Sequence, residues 1–415
     1  MKRFLKRAAA AAVSLALMGG MFPAASAASD GVEAKIASMT LREKVGQLFV
    51  VRPETLDLEQ TSDGKIVTDA MREHLKEYPI GGIVLFKQNI TDAGQMTKLI
   101  QDYQNASDIG LLVAVDEEGG TVARLANHSA FDLPKYTNAA SIGATGDTEQ
   151  AKAMGRTIGG YLKPYGFNLD FAPVADVNSN PKNPVIGKRA FSSDPNVAAA
   201  MVSAAVEGFH ESGMLCTLKH FPGHGDTGED SHYGTATTTK TWEQMKAVEM
   251  LPFEAGIAAG ADVIMTAHIT TPNATTDGLP ASLSYTMLTE RLRGELGYTG
   301  VISTDALEMK AISSHYSPAD AAVTALNAGA DILLMPADLK EAFDGVVSAV
   351  ETGRVSEERL NESVRRILTL KEKAGIQFEV PALVETRPET AEEAQITTPP
   401  AAKPSFWEWL AQLWK

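Results

Sequence analysis

The chain has 415 residues, of which 37 are basic and 52 are acidic, so its formal net charge at pH 7 is −15. A protein this acidic repels nucleic acids and anionic polymers at long range, which argues against both as partners. The sequence contains one cysteine, Cys216. An internal disulfide is therefore excluded, and the fold must depend on its hydrophobic core.

The beginning of the chain has the pattern of a secretory signal peptide. Positions 2–7 include four basic residues, positions 8–18 are apolar, and Ala25-Ser26-Ala27 is a small-residue cleavage site. We therefore predict a signal peptide at 1–27 and a secreted or extracellular protein. A transmembrane anchor is a poorer interpretation, because the apolar run is short and ends at Gly19-Gly20.

Eight apolar runs follow one another, with helical segments between them. Strands are predicted at Val45–Arg52, Gly82–Phe86, Leu111–Asp116, Asn168–Asp176, Cys216–His220, Asp262–His268, Gly300–Asp305 and Asp331–Pro336. Helices are predicted at Thr68–Tyr78, Ala93–Ser107, Thr148–Tyr165, Pro195–Ser212, Thr241–Ala259, Leu339–Glu351 and Glu357–Ala374. Strands without strict alternation, each followed by a helix, indicate a parallel sheet covered on both faces. Eight such units predict an α/β fold, a single (β/α)8 TIM barrel over residues 28–375.

The alternative fold is an open, doubly wound sheet. That fold would carry a glycine-rich phosphate loop between an early strand and its helix. The best candidate, Glu117-Glu118-Gly119-Gly120, offers only a pair of glycines, and its two carboxylates would repel a phosphate. The barrel is therefore the preferred prediction.

The composition changes after the last predicted helix. Residues 376–404 are rich in Glu, Thr, Pro and Ala, which predicts a disordered linker. Residues 405–415 contain three of the four tryptophans of the chain and predict a short helix. Its apolar face suggests docking on the barrel or contact with a surface or partner.

The chemistry of the chain is concentrated where the predicted strands end. Polar residues at these positions are Asp116, Asp176, Lys219, His220, His268 and Asp305. In a (β/α)8 barrel the carboxyl ends of the strands surround one pocket, so we expect these side chains to converge there. The densest group follows the fifth strand, where residues 219–232 read Lys-His-Phe-Pro-Gly-His-Gly-Asp-Thr-Gly-Glu-Asp-Ser-His.

Several separated motifs resemble those of family 3 glycoside hydrolases, in particular the β-N-acetylglucosaminidase branch. They are residues 115–120 (Val-Asp-Glu-Glu-Gly-Gly), 183–191 (Asn-Pro-Val-Ile-Gly-Lys-Arg-Ala-Phe), 219–232 and 304–309 (Thr-Asp-Ala-Leu-Glu-Met). The resemblance spans about Ile36 to Ala374. Many Gram-positive relatives carry a second domain after the barrel, whereas the sequence here continues into the linker and short helix.

The resemblance implies the catalytic residues. Asp305 would be the nucleophile that forms a covalent glycosyl-enzyme, a role that suits an ionised carboxylate. The alternative is that Asp305 only caps the next helix. His232 would be the general acid/base and Asp230 its orienting partner. The spacing agrees, because residues i and i+2 of an extended segment point the same way and a carboxylate favours the imidazolium.

The resemblance also implies the sugar-binding residues, which are Asp116, Arg124, Arg189, Lys219 and His220. Charged donors and acceptors suit hydroxyl recognition, because a buried polar group without a partner is costly. A purely structural ion pair between Asp116 and Arg189 is compatible with that role.

No metal or cofactor is predicted. His220 and His224 have the spacing of helical zinc ligands, and His232 lies nearby. Pro222 and Gly223 between the first two histidines prevent a helix there, so the pair would not share a helical face.

The sequence therefore predicts a secreted, metal-independent, retaining β-N-acetylglucosaminidase. Its substrate would be terminal, non-reducing β-linked N-acetylglucosamine in glycans or muropeptides from peptidoglycan. Three alternatives remain open: a β-N-acetylglucosaminide phosphorylase, a family 3 β-glucosidase or xylosidase, and a catalytically silent protein that binds wall fragments.

Overall fold

The computed structural model describes residues 30–59, 62–228, 236–376 and 378. Eight parallel strands form its central sheet: β1 (Phe49–Val51), β2 (Gly82–Leu85), β3 (Leu112–Val115), β4 (Leu169–Asp170), β5 (Leu215–Phe221), β6 (Val263–Thr266), β7 (Val301–Thr304) and β8 (Leu333–Leu334). Neighbouring strands follow the order β7-β6-β5-β4-β3-β2-β1-β8. A parallel bridge between Ser303 and Ile332 brings β7 beside β8 and closes the sheet.

Helices surround the strands. The α-helices are Asp30–Ser38, Leu41–Gln47, Asp69–Glu77, Ala93–Ala106, Ala139–Gly143, Thr148–Leu162, Pro195–Glu211, Trp242–Ala247, Met250–Ala258, Lys310–Ser313, Pro318–Ala328, Leu339–Glu351 and Glu357–Lys373. Short 3-10 turns lie at Pro53–Leu56, Lys87–Asn89, Lys163–Tyr165, Gly187–Arg189 and Ala281–Leu283, and a π-helix at Thr286–Glu295. With the closed parallel sheet, these helices make an α/β fold, and the predicted (β/α)8 TIM barrel is confirmed.

The strands are apolar because helices cover one face of the sheet and the barrel interior covers the other. Every residue of β1, β2, β3 and β5 is buried. Two short strand pairs extend the carboxyl end of the barrel. Glu117–Gly119 pairs with Val122–Ala123 in the antiparallel sense, and Ala236–Thr237 pairs with Ile269–Thr270 in the parallel sense. Among the described residues, no helix is both long and apolar enough to cross a membrane.

Several element boundaries differ from the sequence-based expectation, such as the strand predicted at Asn168–Asp176, which is Leu169–Asp170. Two of the differences have a clear local cause. Val45–Gln47, predicted as the start of the first strand, belongs to helix Leu41–Gln47. The helix begins there because Thr40 and Glu43 form a reciprocal capping box, with the Thr40 N–H donating to Glu43 at 2.7 Å and the Glu43 N–H donating to the Thr40 hydroxyl at 3.2 Å.

The second difference concerns the predicted helix Thr241–Ala259, which is two helices, Trp242–Ala247 and Met250–Ala258. Pro252 explains the break, since a proline has no N–H and its ring clashes with the carbonyl four residues earlier. Val248 leaves helical geometry at φ −133° and ψ −70°. The predicted signal peptide and C-terminal helix lie outside the described residues, as does nearly all of the predicted linker.

Candidate active site

A pocket of about 310 Å³ opens at the carboxyl ends of the strands. Six of the residues singled out from the sequence line it: Asp116, Arg124, Arg189, Lys219, His220 and Asp305. They come from the segments after β3 and β4, from β5 and from the residue after β7. The structure thus brings together residues that are separated by up to 189 positions along the chain (116 to 305).

One side of this pocket, here called the polar wall, is a chain of ion pairs. Lys219 lies between two carboxylates, at 2.7 Å from Asp116 and 2.7 Å from Glu118. Arg124 reaches the other oxygen of Asp116 at 3.0 Å. Arg189 binds Glu118 through two parallel hydrogen bonds of 2.8 and 2.7 Å. Planar, two-point contacts of this kind fix orientation as well as charge.

The polar wall holds its members in the charged state. Burial alone would raise the pKa of Asp116 and Glu118, but the neighbouring cations outweigh it. The pKa of Asp116 lies well below its usual range, and that of Glu118 falls to about 2. Burial would lower the pKa of Lys219, and the two carboxylates raise it instead. The wall therefore offers a fixed pattern of negative acceptors and positive donors at neutral pH.

His220 joins this wall to the barrel through Asp176. The Asp176 carboxylate lies 2.7 Å from His220 Nδ1 and accepts the backbone N–H of His224 at 2.6 Å. Arg189 lies 3.3 Å from His220 Nε2. This pattern assigns the proton of His220 to Nδ1, which leaves Nε2 as an acceptor for Arg189. Asp176 thus fixes both the orientation of His220 and the start of the loop that follows.

Asp305 stands at the end of β7, where the chain turns away from the sheet. Its backbone N–H donates to the Thr266 carbonyl at 2.9 Å, and its own carboxylate accepts the N–H of Ala306 at 2.8 Å. The buried ring of His268 lies 2.9 Å from the Ala306 carbonyl and 2.7 Å from the Ser282 hydroxyl. The strand-end residue His268 therefore supports the backbone beside Asp305, and it is not among the residues that line the pocket.

A second ion pair and several apolar side chains also line the pocket. Arg52, just after β1, binds Glu308 through two hydrogen bonds of 3.0 and 2.9 Å. Burial raises the pKa of Glu308, while Arg52 lowers it. Met265, Leu334 and other apolar residues complete the lining. The pocket thus combines charged groups with apolar side chains.

Three pocket residues were missed or undervalued by sequence reasoning: Glu118, Arg52 and Glu308. Glu118 was considered only as a group that repels phosphate, yet it joins Lys219 to Arg189. Its position two residues after Asp116 was the available signal, because alternate residues of an extended segment face the same side. Arg52 ends the first predicted strand, so its position carried a signal too, but its partner Glu308 lies 256 residues away and could not be predicted.

The predicted acid/base pair, Asp230 and His232, lies outside the described residues, which stop at Gly228 and resume at Ala236. The roles assigned to these two residues stay predictions. The two ends of that segment are described: His224 lines the pocket, and Ala236 and Thr237 pair with residues 269–270.

One group of side chains among the described residues could hold a metal ion, and it lies at the other end of the strands. His210, Cys216 and Asp262 place one ligand atom each within 4.8 Å of one another. Lys373 forms an ion pair with the second oxygen of Asp262, and His210 approaches the first at 2.9 Å. These contacts describe an ion-pair cluster that ties helices to the base of the barrel, away from the pocket.

Comparison with known proteins agrees with the fold and the motifs. Residues 40–370 match the model of the glycosyl hydrolase family 3 N-terminal domain. The chain is 39% identical over 332 residues to beta-hexosaminidase A of Pseudoalteromonas piscicida, covering 73% of this chain and 55% of that protein. It superposes on the family 3 β-N-acetylglucosaminidase of Paenibacillus sp. strain FPU-7 with a TM-score of 0.75 and 40% identity, covering 81% and 63% of the two chains.

A third similar structure is the beta-glucoside phosphorylase BglX, with a TM-score of 0.73 and 27% identity over 83% of this chain and 60% of that one. The chain thus spans 55 to 63% of the length of these three proteins. The match to the family model covers most of the described residues, including the barrel and the pocket. The chain therefore belongs to glycosyl hydrolase family 3.

Proposed function

We propose that this protein is a retaining β-N-acetylglucosaminidase that hydrolyses terminal, non-reducing β-linked N-acetylglucosamine. The observation that carries the proposal is the meeting of Asp305 and the polar wall in one pocket of about 310 Å³, at the end of the barrel where such enzymes place their chemistry. The names of the similar hexosaminidase and β-N-acetylglucosaminidase support the choice of sugar.

The polar wall suits the hydroxyl groups of a sugar. A hydroxyl can donate to the carboxylate of Asp116 or Glu118 and accept from Lys219 or Arg189 at the same time. The ion pairs of the polar wall already hold these side chains in place. A sugar hydroxyl would therefore replace some of their existing contacts with little rearrangement of the side chains. Such preorganisation lowers the cost of binding.

In the proposed reaction, Asp305 attacks the anomeric carbon while His232 gives its proton to the glycosidic oxygen. The bond to the leaving group breaks, and the sugar becomes esterified to the Asp305 carboxylate. Neutral His232 then takes a proton from water, whose oxygen attacks the same carbon and releases Asp305. Two inversions give net retention, and Asp230 would stabilise the imidazolium form of His232.

Peptidoglycan fragments and secretion are part of the same proposal. The signal-peptide pattern at residues 1–27 supports export, and export places the enzyme where such fragments arise. Amino-terminal sequencing of protein recovered outside the producing cell tests export, with cleavage after Ala27 as the expected result. Release of N-acetylglucosamine from purified muropeptides tests the substrate source.

Phosphorolysis is the second candidate, and the similarity to a beta-glucoside phosphorylase favours considering it. In that reaction phosphate would replace water as the acceptor, and the product would be N-acetylglucosamine 1-phosphate. A histidine acid/base repels an anionic acceptor less than a glutamate would. Product analysis with and without inorganic phosphate separates the two reactions.

The activity is tested by chromophore release from nitrophenyl β-N-acetylglucosaminide and from the matching β-glucoside. Wild type should prefer the N-acetyl substrate, and His232→Ala should lose most of the activity. Preference for the glucoside would assign another branch of the family, and full activity in His232→Ala would remove the proposed proton donor. No release from either substrate would favour a binding protein without turnover.

A further inference from the structure

Glu117 stands between two members of the polar wall and is turned away from the pocket. Asp116 and Glu118 line the pocket, whereas Glu117 is fully buried and is not among the lining residues. The alternation follows from the extended backbone, in which successive side chains point to opposite sides. A buried carboxylate without hydrogen-bond donors is costly. The partners of Glu117 therefore indicate its role.

The carboxylate of Glu117 binds the segment that carries Arg124. It accepts the backbone N–H of Leu125 at 2.9 Å and that of Ala126 at 2.8 Å. These are the two residues directly after Arg124, whose guanidinium binds Asp116 at 3.0 Å. The side chain of Glu117 thus holds the backbone from which Arg124 reaches the polar wall.

Gly119 and Gly120 allow the chain to return within this short distance. Their φ angles are +78° and +68°, a backbone conformation that residues with a side chain rarely adopt. A Cβ added to Gly120 would lie 2.9 Å from the Cα of Asn138, which leaves no room for a larger residue. The two glycines thus build the turn that brings Arg124 back beside Asp116.

Glu117 is itself held by two neighbouring elements. The Tyr161 hydroxyl, on helix Thr148–Leu162, donates to its carboxylate at 2.8 Å. The backbone N–H of Glu117 donates to the buried side chain of Asp170, the last residue of β4, at 3.0 Å. These contacts restrict both the backbone and the side chain of Glu117, and they connect the polar wall to a helix and to the next strand.

We propose that Glu117 is a positioning residue for sugar binding that acts through Arg124. The proposal rests on the proposed function, in which Asp116 and its partners bind the sugar. Without this carboxylate, the N–H groups of Leu125 and Ala126 lose their acceptor, and the segment that carries Arg124 is free to move. Asp116 would then lose one of its two cations. A displacement of about 1 Å in such a contact can cost about 10²-fold in rate.

A double-mutant cycle distinguishes positioning from general support of the fold. The Arg124 guanidinium lies 5.1 Å from the centre of the Phe86 ring, and Arg124→Met removes the charge while keeping an unbranched side chain over that ring. If Glu117 acts through Arg124, its removal should matter only while Arg124 is present. Two residues that support the fold independently would instead have additive effects.

The quantity to measure is kcat/KM for nitrophenyl β-N-acetylglucosaminide, per folded molecule of the full-length protein. We expect Glu117→Ala to lower it by about 10- to 100-fold in the wild-type background and by less than about 2-fold in the Arg124→Met background. Glu117→Gln keeps one oxygen acceptor and should lie between wild type and Glu117→Ala. Tyr161→Phe removes one donor from the same carboxylate and should cost about 2- to 10-fold.

Tyr298→Phe is the matched control for Tyr161→Phe. Both tyrosines are buried, and the Tyr298 hydroxyl donates to the Asp262 carbonyl at 2.8 Å, before the amino ends of β6 and β7. Tyr298→Phe should therefore lower the melting temperature without changing kcat/KM per folded molecule. Equal losses of kcat/KM in the two phenylalanine variants would contradict a specific role for the carboxylate of Glu117.

The outcomes separate this proposal from the proposed function. If Glu117→Ala costs as much in Arg124→Met as in wild type, the positioning role is overturned and the proposed function stays intact. A wild type that prefers the β-glucoside would overturn the choice of sugar, and the same cycle on the glucoside would still decide the role of Glu117. No release from either substrate would overturn both. If Glu117→Ala fails to fold, as judged by circular dichroism, the cycle with Tyr161→Phe decides.

Discussion

The two ends of the barrel contain the same kind of buried contact and use it differently. At the amino ends of the strands, Asp331 is fully buried and meets Arg293 at 2.6 Å, Arg366 at 3.1 Å and the Ser363 hydroxyl at 2.7 Å. At the carboxyl ends, Asp116 and Glu118 are held by Lys219 and two arginines. In both places cations hold the carboxylate pKa below its usual range against the effect of burial.

The difference lies in what surrounds each network. Asp331 is enclosed by helices, and its second oxygen also accepts the backbone N–H of Ile302 at 2.9 Å, so every partner is part of the fold. The carboxylates of the polar wall line an open pocket that also contains Asp305. Similar ion pairs thus fasten helices at one end and line an open pocket at the other, where the proposed function has them exchange partners with a sugar.

The largest expected effect is at the pocket. Asp305→Asn should lower kcat/KM by on the order of 10⁴-fold or more, the scale of removing a catalytic nucleophile. The melting temperature should change little, because Asp305 lies at a strand end and the amide can still accept the N–H of Ala306. Enzyme assays paired with thermal unfolding check this, and Asp102→Asn, which removes only a surface ion pair with Lys98, is the control. If Asp305→Asn lowered the melting temperature strongly and activity fell only in proportion to the folded fraction, Asp305 would only cap the turn.

The reverse result is expected at the base of the barrel. Asp331→Ala leaves buried arginines without their carboxylate and should destabilise the protein by about 3–5 kcal/mol. Denaturant unfolding measures this, and the activity per folded molecule should remain.

Glu362→Gln is the matched control, since Glu362 lies 3.7 Å from Arg366 and from Arg359, both of which also approach Asp331, but is half exposed. That change should cost less than about 1 kcal/mol. Equal effects of the two substitutions would show that the buried position of Asp331 does not matter.

Lys371 offers a stabilising change in the same region. Its side chain is fully buried, its ammonium donates to Gln47 at 2.7 Å, and burial lowers its pKa to about 7. Below that pH the folded protein must bury a charge that the unfolded chain keeps in water, at a cost on the order of 4 kcal/mol. Lys371→Met should therefore raise the melting temperature, and more at pH 6 than at pH 9. A smaller gain at pH 6 than at pH 9 would contradict this account.

The smallest effect is expected from mild acid on the polar wall. The pKa of Glu118 is about 2 in the fold, against roughly 4.3 in an unfolded chain. A depressed pKa means that the stabilisation is complete above about pH 4 and is lost as the pH falls toward 2. KM should therefore stay within about 2-fold between pH 5 and 7, because the wall does not titrate there. An acidic rise in KM within that range, absent in Glu118→Gln, would show that Glu118 is less ionised than its contacts indicate.

The barrel could be predicted because each predicted strand contains an apolar run and six of the eight end in a polar residue. Boundaries were harder. Thr40 and Glu43 carry a capping signal, but the apolar residues that follow hide it, and Val45–Gln47 was assigned to a strand. The predicted helix Thr241–Ala259 contains Pro252, whose ring clashes with the carbonyl four residues earlier. This proline was the available signal for the break between the two helices that the structure shows.

The site was predictable where residues sit at strand ends or in short motifs, as with Lys219 and Asp305. It was not predictable where the role depends on a distant partner. The bond between Arg52 and Glu308 joins two loops 256 residues apart.

The covalent glycosyl-enzyme on Asp305 can be tested by mass spectrometry of His232→Ala mixed with dinitrophenyl β-N-acetylglucosaminide. This substrate allows the first step without a proton donor, and loss of the base slows the attack of water. We expect the mass of the His232→Ala protein to increase by one N-acetylglucosaminyl group, and the modified peptide to carry the sugar on Asp305. An adduct on another residue, or none while the substrate is still consumed, would contradict it.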